Sequence, residues 1–383
     1  MRKVLVSLAL LLLGPSAFAW DNLYHKKLDW LSMENAIFQL KGGNLYYPYY
    51  RENGEAMVVA VDLAAGTARY LGPGAPRIDK VFTGFGQDDW LLYNGENRQL
   101  QLWNAELNRP EKTLALPSLC NGPLDFVDVS QSQRYLGCGH AVKDQLDGTD
   151  ENTLGILPGH FINSFFLDNR YYITYSARMS SDDKRVDILD LRQKKTAVLL
   201  KGSQLQFVLA GPGQQIVFSE SGGWFQKPQV KMLDLNSGKQ LGLYKGEISG
   251  LRLSPAKHFM LVSSDSGINV FELDQEAGGY VQKRSLDTVL PPQSQWHQDE
   301  SRDYNNLAFI GEQKVMVVTL YHKLQLWDLT KGALLAEQNL KAADGAVPVR
   351  MQWDQTGYLA LQWSDGVMDV FKVDEGLAGA EQE

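Results

Sequence analysis

Short runs in which apolar and polar residues alternate recur along the chain, and most of them close with an acidic or amide residue followed by an apolar one. Seven copies are found, at 58–63, 100–104, 186–191, 230–235, 268–273, 324–329 and 368–373. Alternation with a period of about two predicts β-strands, because successive strand side chains point to opposite faces. The spacings are 42, 86, 44, 38, 56 and 44, and since 86 is twice 43, a degenerate eighth copy is predicted near position 147.

A second set of apolar runs gives an independent count of the repeat. These runs precede the first set and begin near positions 45, 90, 135, 171, 216, 259, 315 and 358. From 45 to 358 there are 313 residues in seven intervals, so the repeat is close to 45 residues long. Turn residues such as those at 236–238, 263–267 and 364–366 separate the runs, as expected for antiparallel hairpins.

Three to four strands in each unit of this length are typical of a β-propeller blade. One such sheet cannot bury both of its faces, so neighbouring sheets have to supply the core. The predicted fold class is therefore all-β, an eight-bladed β-propeller. The alternative is seven blades with one irregular, extended blade.

The two ends of the chain predict how the ring closes. The last unit has three convincing strands, and the tail 377–383 is small and polar, so one sheet edge is left open. We expect a segment within 20–34 to cover this edge, as a strand or as a short helix. The predicted domains are a signal peptide at 1–19, a covering segment at 20–35, the propeller at 36–376 and a polar tail at 377–383.

The first nineteen residues have the pattern of a cleaved leader. Met1-Arg2-Lys3 is basic, a largely apolar run of ten residues follows, and Ala17-Phe18-Ala19 has the small residues that a signal peptidase needs. The alternative is a membrane anchor, but at ~1.5 Å per residue this run spans about half of a ~30 Å hydrocarbon core. We expect cleavage before Trp20 and a periplasmic protein with no membrane span. The first cysteine is Cys120, so no lipid anchor is expected either.

The two cysteines, Cys120 and Cys138, are eighteen positions apart. In an oxidising compartment one disulfide is the natural interpretation, and a loop of that size contributes roughly 3 kcal/mol in the chain-entropy model. The alternative is two buried free thiols.

Composition removes some classes of function. The 383 residues include 44% hydrophobic and 21% charged residues, which is ordinary for a globular protein. The net charge is −8, from 37 Lys and Arg against 45 Asp and Glu. Binding of nucleic acid is not expected, because neutralising phosphates requires clustered basic residues.

The stretch 324–332, Leu-Gln-Leu-Trp-Asp-Leu-Thr-Lys-Gly, resembles the strand end and turn of WD-repeat propellers. The stretch 233–239 is similar to the turn of quinoprotein-type propeller repeats. Among the seven recurring copies, only the one at 324–329 contains an intact Trp-Asp pair, Trp327-Asp328, and the Trp that ends each quinoprotein docking repeat is missing. The resemblance implies the propeller fold and not an activity, and because the docking Trp is missing, no quinone or other cofactor is expected. In architecture and compartment the chain also resembles the propeller subunit of the outer-membrane protein assembly machinery, although the lipid-attachment cysteine is absent.

Motifs for catalysis are absent from the sequence. The six histidines are scattered, and no zinc, nucleophile-elbow or phosphate-binding motif occurs. The recurring Asp62, Asp190, Asp234 and Asp328 are interpreted as turn residues that accept backbone hydrogen bonds. No catalytic or cofactor-binding residue is predicted.

One acidic segment is a weak candidate for a metal ion, since calcium takes carboxylate oxygens. Its members are Asp144, Asp147, Asp150 and Glu151. The alternative is a solvated turn.

Aromatic residues provide a candidate surface for a protein partner, because aromatics are enriched in interface hot spots. They are Tyr46, Tyr47, Tyr49, Tyr50, Trp224, Phe225, Trp296 and His297. The last two lie in a predicted long linker, 276–306, and long loops are often functional. The alternative is that these rings pack between sheets.

The expected function is a periplasmic scaffold that binds or assembles proteins without catalysis. The alternative is a propeller enzyme, a hydrolase, lyase or quinoprotein, with its site at the mouth of the axial channel. Convergent His, Asp and Arg side chains in that channel would favour the enzyme.

Overall fold

The computed structural model describes a chain built from β-strands, turns and connections. The described residues are 20–27, 38–50, 56–75, 80–83, 89–94, 99–104, 109–115, 127–130, 132, 134–139, 141–144, 151–153, 160–177, 184–222, 226–291 and 306–373. None of these residues is helical. In this part of the chain there is accordingly no helix long and apolar enough to cross a membrane.

The strands of the described residues form eight four-stranded antiparallel sheets, here called sheets 1 to 8 in chain order. Sheet 1 contains β2 (Gln39–Lys41), β3 (Asn44–Tyr50), β4 (Ala56–Asp62) and β5 (Thr67–Ala75). Sheet 2 contains β6 (Lys80–Thr83), β7 (Asp89–Asn94), β8 (Gln99–Asn104) and β9 (Arg109–Ala115). Sheet 3 contains β10 (Val127–Val129), β11 (Tyr135–Cys138), β12 (Ala141–Asp144) and β13 (Glu151–Thr153). Sheet 4 contains β14 (His160–Leu167), β15 (Tyr171–Ala177), β16 (Lys184–Asp190) and β17 (Lys195–Lys201).

The second half of the chain repeats the same plan. Sheet 5 contains β18 (Leu205–Ala210), β19 (Gln215–Glu220), β20 (Gln229–Asp234) and β21 (Gln240–Lys245). Sheet 6 contains β22 (Gly250–Leu253), β23 (Phe259–Ser264), β24 (Gly267–Asp274) and β25 (Gly279–Leu286). Sheet 7 contains β26 (Leu307–Ile310), β27 (Lys314–Val318), β28 (Lys323–Asp328) and β29 (Ala333–Asn339). Sheet 8 contains β30 (Pro348–Trp353), β31 (Tyr358–Trp363), β32 (Val367–Lys372) and, on its outer edge, β1 (Asp21–Lys27).

The two sets of apolar runs fall on fixed positions in these sheets. The eight early runs form the second strands, and the seven later runs form third strands. The eighth third strand is β12, so an eighth copy exists as predicted, but it ends slightly before the predicted position. Asp144 pairs with Tyr135 as Asp190 pairs with Tyr171, three residues before position 147. Only Gly139 and residue 140 join β11 to β12, and this short turn brings the chain to Asp144 early.

The long linker was also predicted too long. Residues 279–286 of the predicted linker form β25, which pairs with β24 from Asp274↔Gly279 to Ile268↔Leu286. The connection that follows begins at 287, and its part 292–305 lies outside the described residues.

Turn aspartates stabilise the hairpins between third and fourth strands, as predicted. One carboxylate oxygen of Asp62, Asp190, Asp234 or Asp328 accepts from the backbone N–H groups two and three residues later, at 2.7–3.1 Å. Sheet 6 uses Asp274 in the same way, at 3.0 Å. The copy at 268–273 predicts Glu272 at this position, and β24 continues two residues further, to Asp274.

The core lies between the sheets. Buried apolar clusters join sheets 3 and 4, 4 and 5, 5 and 6, 6 and 7, and 7 and 8. A further cluster joins sheet 8 to sheet 1 and includes Phe38, Leu45, Tyr358 and Val370. The last described sheet therefore packs on the first.

The outer edge of sheet 8 is occupied by β1, which pairs antiparallel with β32. Trp20, directly before β1, is 4% exposed and packs between sheets 7 and 8. The Gln338 side chain accepts from the backbone N–H of Trp20 and donates to its carbonyl at 3.2 Å. These contacts fix the first described residue in the core. The predicted domain limits, including the leader at 1–19 and the tail at 377–383, stay predictions.

Candidate partner-binding surface

The aromatic residues proposed from the sequence do not form one described surface. Tyr46 and Tyr47 are buried, 7% and 3% exposed, so assigning these two rings to a partner surface was wrong. They are neighbours on opposite faces of β3, and both faces are covered. The hydroxyl of Tyr47 lies 3.1 Å from that of Tyr24, and burial together with this hydrogen bond raises the pKa of Tyr24.

The remaining predicted aromatic residues are not described at the level of side chains. Tyr49 and Tyr50 belong to β3, whereas Trp224, Phe225, Trp296 and His297 lie outside the described residues. Their assignment to a partner surface stays a prediction.

The predicted acidic metal site is described at one residue. Asp144 accepts from Arg134 Nε at 2.8 Å and Nη2 at 3.1 Å, so a cation already neutralises it. Asp147 and Asp150 lie outside the described residues, and of Glu151 only the backbone, at the start of β13, is described. Within the described part of the chain, no group of three or more His, Cys, Asp or Glu side chains could hold a metal ion.

The structure describes one of the two cysteines of the predicted disulfide. Cys138 is buried at the end of β11, and Cys120 lies outside the described residues. The pairing stays a prediction.

The histidines with described side chains do not converge on one site. His25 contacts Asp369 in sheet 8, with 2.6 Å between Nδ1 and Oδ1. His258 contacts Glu272 in sheet 6 at 3.2 Å, and His322 belongs to a hairpin turn of sheet 7.

Exposed large apolar side chains show a different pattern. Among the described residues, Leu23, Tyr70, Val198 and Leu241 are exposed singly, each on an outer strand of a different sheet. Val289, Leu320 and Tyr321 are exposed together, at 38%, 42% and 69%. We call these three residues the turn patch. Single exposed apolar residues are normal on a soluble protein, whereas grouped ones mark interaction sites.

The turn patch is built on the hairpin between β27 and β28. His322 N–H donates to the carbonyl of Thr319 at 3.1 Å, and Thr319 N–H donates to the carbonyl of Lys323 at 2.9 Å. Leu320 and Tyr321 therefore occupy the two corner positions of a β-turn, where side chains point away from the strands.

His322 anchors this turn to sheet 8. Its backbone is left-handed, with φ of 52°, a conformation that is uncommon for a residue other than glycine. Its Nε2 lies 2.9 Å from the carbonyl oxygen of Ala346, and its ring packs edge-on against Trp363 with centroids 5.4 Å apart. Its own carbonyl accepts from Leu340 N–H at 2.7 Å. These contacts make the turn rigid.

Val289 is attached to the same turn through the backbone. Leu320 N–H donates to the carbonyl of Val289 at 2.9 Å. The preceding residue, Thr288, is buried and its hydroxyl donates to Gln325 Oε1 at 2.8 Å. The connection after β25 is thus fixed at Val289 and at the residue before it.

Sequence reasoning missed Leu320 and Tyr321, although a signal was present. The equivalent turns of sheets 6 and 8 read Asp265-Ser266 and Ser364-Asp365-Gly366. The turn of sheet 7 has two large apolar residues at that place. A comparison of equivalent turns, rather than a search for aromatic clusters, would have identified it.

Comparison with known proteins supports the fold. No protein-family model and no curated protein matches the chain. Among solved structures, the Cps50 (Swd1) beta-propeller domain of Myceliophteria thermophila matches with a TM-score of 0.50 and 12% identity, covering 93% of this chain and all of that one. A structure described as KlHsv2 with loop 6CD replaced by a Gly-Ser linker has a TM-score of 0.48 and 12% identity, covering 88% and 92%.

At this identity the first likeness shows the fold alone. Together with the eight antiparallel sheets and the packing of sheet 8 on sheet 1, it shows that the chain is an all-β propeller.

Proposed function

We propose that the chain is a periplasmic protein-binding scaffold and that the turn patch is one of its contact surfaces. The observation that carries the proposal is the grouping of Val289, Leu320 and Tyr321 on a rigid turn, since other exposed apolar residues of the described chain are single.

The rigidity of the turn favours binding. Loops that become ordered on association lose conformational entropy and thereby affinity, whereas a fixed turn has little left to lose. Tyr321 is the most exposed of the three, and tyrosine combines a large apolar ring with few rotatable bonds. Tyr321 is accordingly the expected central contact.

The proposed compartment is supported by Trp20. Cleavage after Ala19 would leave Trp20 as the first residue, and Trp20 is buried and bonded through Gln338. The proposed processing therefore retains every residue that β1 needs to cover sheet 8. In the oxidising periplasm, Cys120 and Cys138 would form the proposed disulfide, and the eight sheets support a ring of eight blades.

Photo-crosslinking in intact bacteria tests the binding role. A photoreactive amino acid is placed at position 321 or, as the control, at position 70, because Tyr70 is a similarly exposed tyrosine on β5. We expect discrete crosslinked bands at 321 that vanish when Leu320→Ser is added, and none at 70. Equal crosslinking at both positions, or bands that survive Leu320→Ser, would contradict the proposal.

The compartment has a separate test. The mass of the protein recovered from the periplasmic fraction should correspond to a chain that begins at Trp20. Recovery of the intact chain from the cytoplasm would contradict the proposed location while leaving the binding role untouched.

A further inference from the structure

We infer that the turn patch binds a protein segment in which an apolar side chain is flanked by Lys or Arg. This inference rests on the proposed binding function and goes beyond it by naming the chemistry of the partner. It depends on the charges that surround the patch.

Two exposed carboxylates lie on the segments that hold the patch in place. Asp287 is two residues before Val289 in the connection after β25. Asp344 is two residues before Ala346, whose carbonyl contacts His322. Both side chains are exposed, so a partner seated on Leu320 and Tyr321 meets them at its margin.

Two further carboxylates come from the equivalent turns of the flanking sheets. Asp265 lies in the turn between β23 and β24, where Gly267 approaches Leu286 so closely that an added Cβ would be 2.6 Å from the Leu286 oxygen. Asp365 lies in the turn between β31 and β32, directly after Trp363, on which His322 packs. All four acidic residues are therefore at the same end of sheets 6 to 8 as the patch.

Basic groups at this end offset these acids only in part. Lys26 and Lys27 lie at this end too, on the edge strand β1 of sheet 8, where they pair with Met368 and Val367. Lys323 Nζ is bonded to Glu337 at 2.7 Å, and this hydrogen bond, with that from Gln325, lowers the pKa of Glu337. Lys341 is exposed to solvent. In the described segments 263–267, 286–291, 319–323 and 340–367, the basic residues besides Lys323 are Lys341, Arg350 within β30 and His322 in the turn itself.

The four aspartates, here called the acidic margin, favour one kind of binding partner over the others. A basic partner gains from charge complementarity, which raises the association rate and suppresses wrong partners. A nucleic acid or an anionic membrane would be repelled. A second copy of the chain in a two-fold contact would place each acidic margin against its own copy. A basic and apolar protein segment is the occupant that fits.

Peptide binding to the purified chain tests the inference. The probes are fluorescent peptides with one Trp flanked by Lys residues or, as the matched control, by Glu residues. We expect the basic probe to bind and the acidic probe to bind at least about tenfold more weakly, because each mismatch places like charges together. The affinity of the basic probe should fall as salt is raised.

Charge reversal gives the decisive comparison. The double variant Asp287→Lys/Asp344→Lys should weaken the basic probe about tenfold or more, and Tyr321→Ala should weaken it too. Glu276→Lys, at the opposite end of sheet 6, should leave it within about twofold. Equal affinity for both probes, or no effect of the double reversal, would overturn the inference.

The two levels of proposal fail in different ways. If crosslinks at position 321 persist in the double variant and are unaffected by salt, the binding role stands and the basic partner is wrong. If no crosslinks form at 321 in the parent protein, the binding role itself is wrong.

Discussion

The two hairpin turns that flank β28 in sheet 7 lie at opposite ends of this strand and differ in almost every respect. At one end, Asp328 accepts from Thr330 N–H at 2.8 Å and Lys331 N–H at 2.9 Å, and Gly332 supplies the left-handed residue with φ of 65°. At the other end, His322 holds the left-handed position and two apolar side chains face solvent.

The first turn recurs and the second does not. Aspartate turns of the same kind occur in sheets 1, 4, 5 and 6, because each hairpin there has to satisfy its own backbone groups. The apolar turn also pairs its backbone hydrogen-bonding groups, but the side chains of Leu320 and Tyr321 take no part in that pairing. The recurring aspartate turns stabilise the fold, whereas these two apolar side chains are available for binding.

The largest expected effect on stability is at Trp20, a buried residue that packs against sheet 7. Trp20→Ala should lower the free energy of unfolding by about 3–5 kcal/mol, because it removes a large side chain from the core between sheets 7 and 8. Urea denaturation of the purified mature chain measures it. A loss below about 1 kcal/mol would show that the site collapses around the cavity or that Trp20 is not closing the sheet.

Aspartate turns give the intermediate effect. Asp328→Ala should cost about 1–2 kcal/mol near neutral pH, since two backbone N–H groups and the Thr330 hydroxyl lose their acceptor. The matched variant Asp365→Ala tests a more exposed turn residue, whose Oδ1 accepts from Val367 N–H at 3.1 Å, and should cost less.

The effect of Asp328 should also depend on pH. Burial raises the pKa of this carboxyl, but the hydrogen bonds from Thr330 and Lys331 outweigh burial, and the pKa lies below its ordinary value. The unfolded chain therefore binds the proton more readily, so the stabilisation is complete above the unfolded pKa of about 4 and is lost as pH falls through the lower folded pKa. The difference between parent and Asp328→Ala should shrink over that range, and a constant difference would contradict it.

The repeat could be predicted from the sequence because strand alternation and turn chemistry survive in nearly every unit. The position of β12 could not, since a spacing gives the average length of a unit and not the length of one hairpin. The same limit explains β25, whose residues were taken for linker.

The burial of individual side chains could not be predicted from the sequence either. Alternation shows that Tyr46 and Tyr47 point to opposite faces of β3, but not that neighbouring structure covers both faces. In a fold of packed sheets both faces of a strand are core, so aromatic content does not indicate a surface. The exposed position of Leu320 and Tyr321 follows from turn geometry, which becomes visible once the units are aligned on their strands.

The smallest expected effect on stability is the sharpest test of the comparison between the two turns. Leu320→Asp/Tyr321→Ser gives sheet 7 the polar turn that sheet 6 has at 265–266, while His322 keeps its contacts with Ala346 and Trp363. The free energy of unfolding should change by no more than about 0.5 kcal/mol, as for other exposed positions. Urea denaturation measures the change, and crosslinking from a photoreactive residue at position 289 reports binding in the same variant. Unchanged stability with lost crosslinks assigns the patch to binding, whereas a loss of about 2 kcal/mol or more would make it part of the folding machinery and remove the distinction between the two turns.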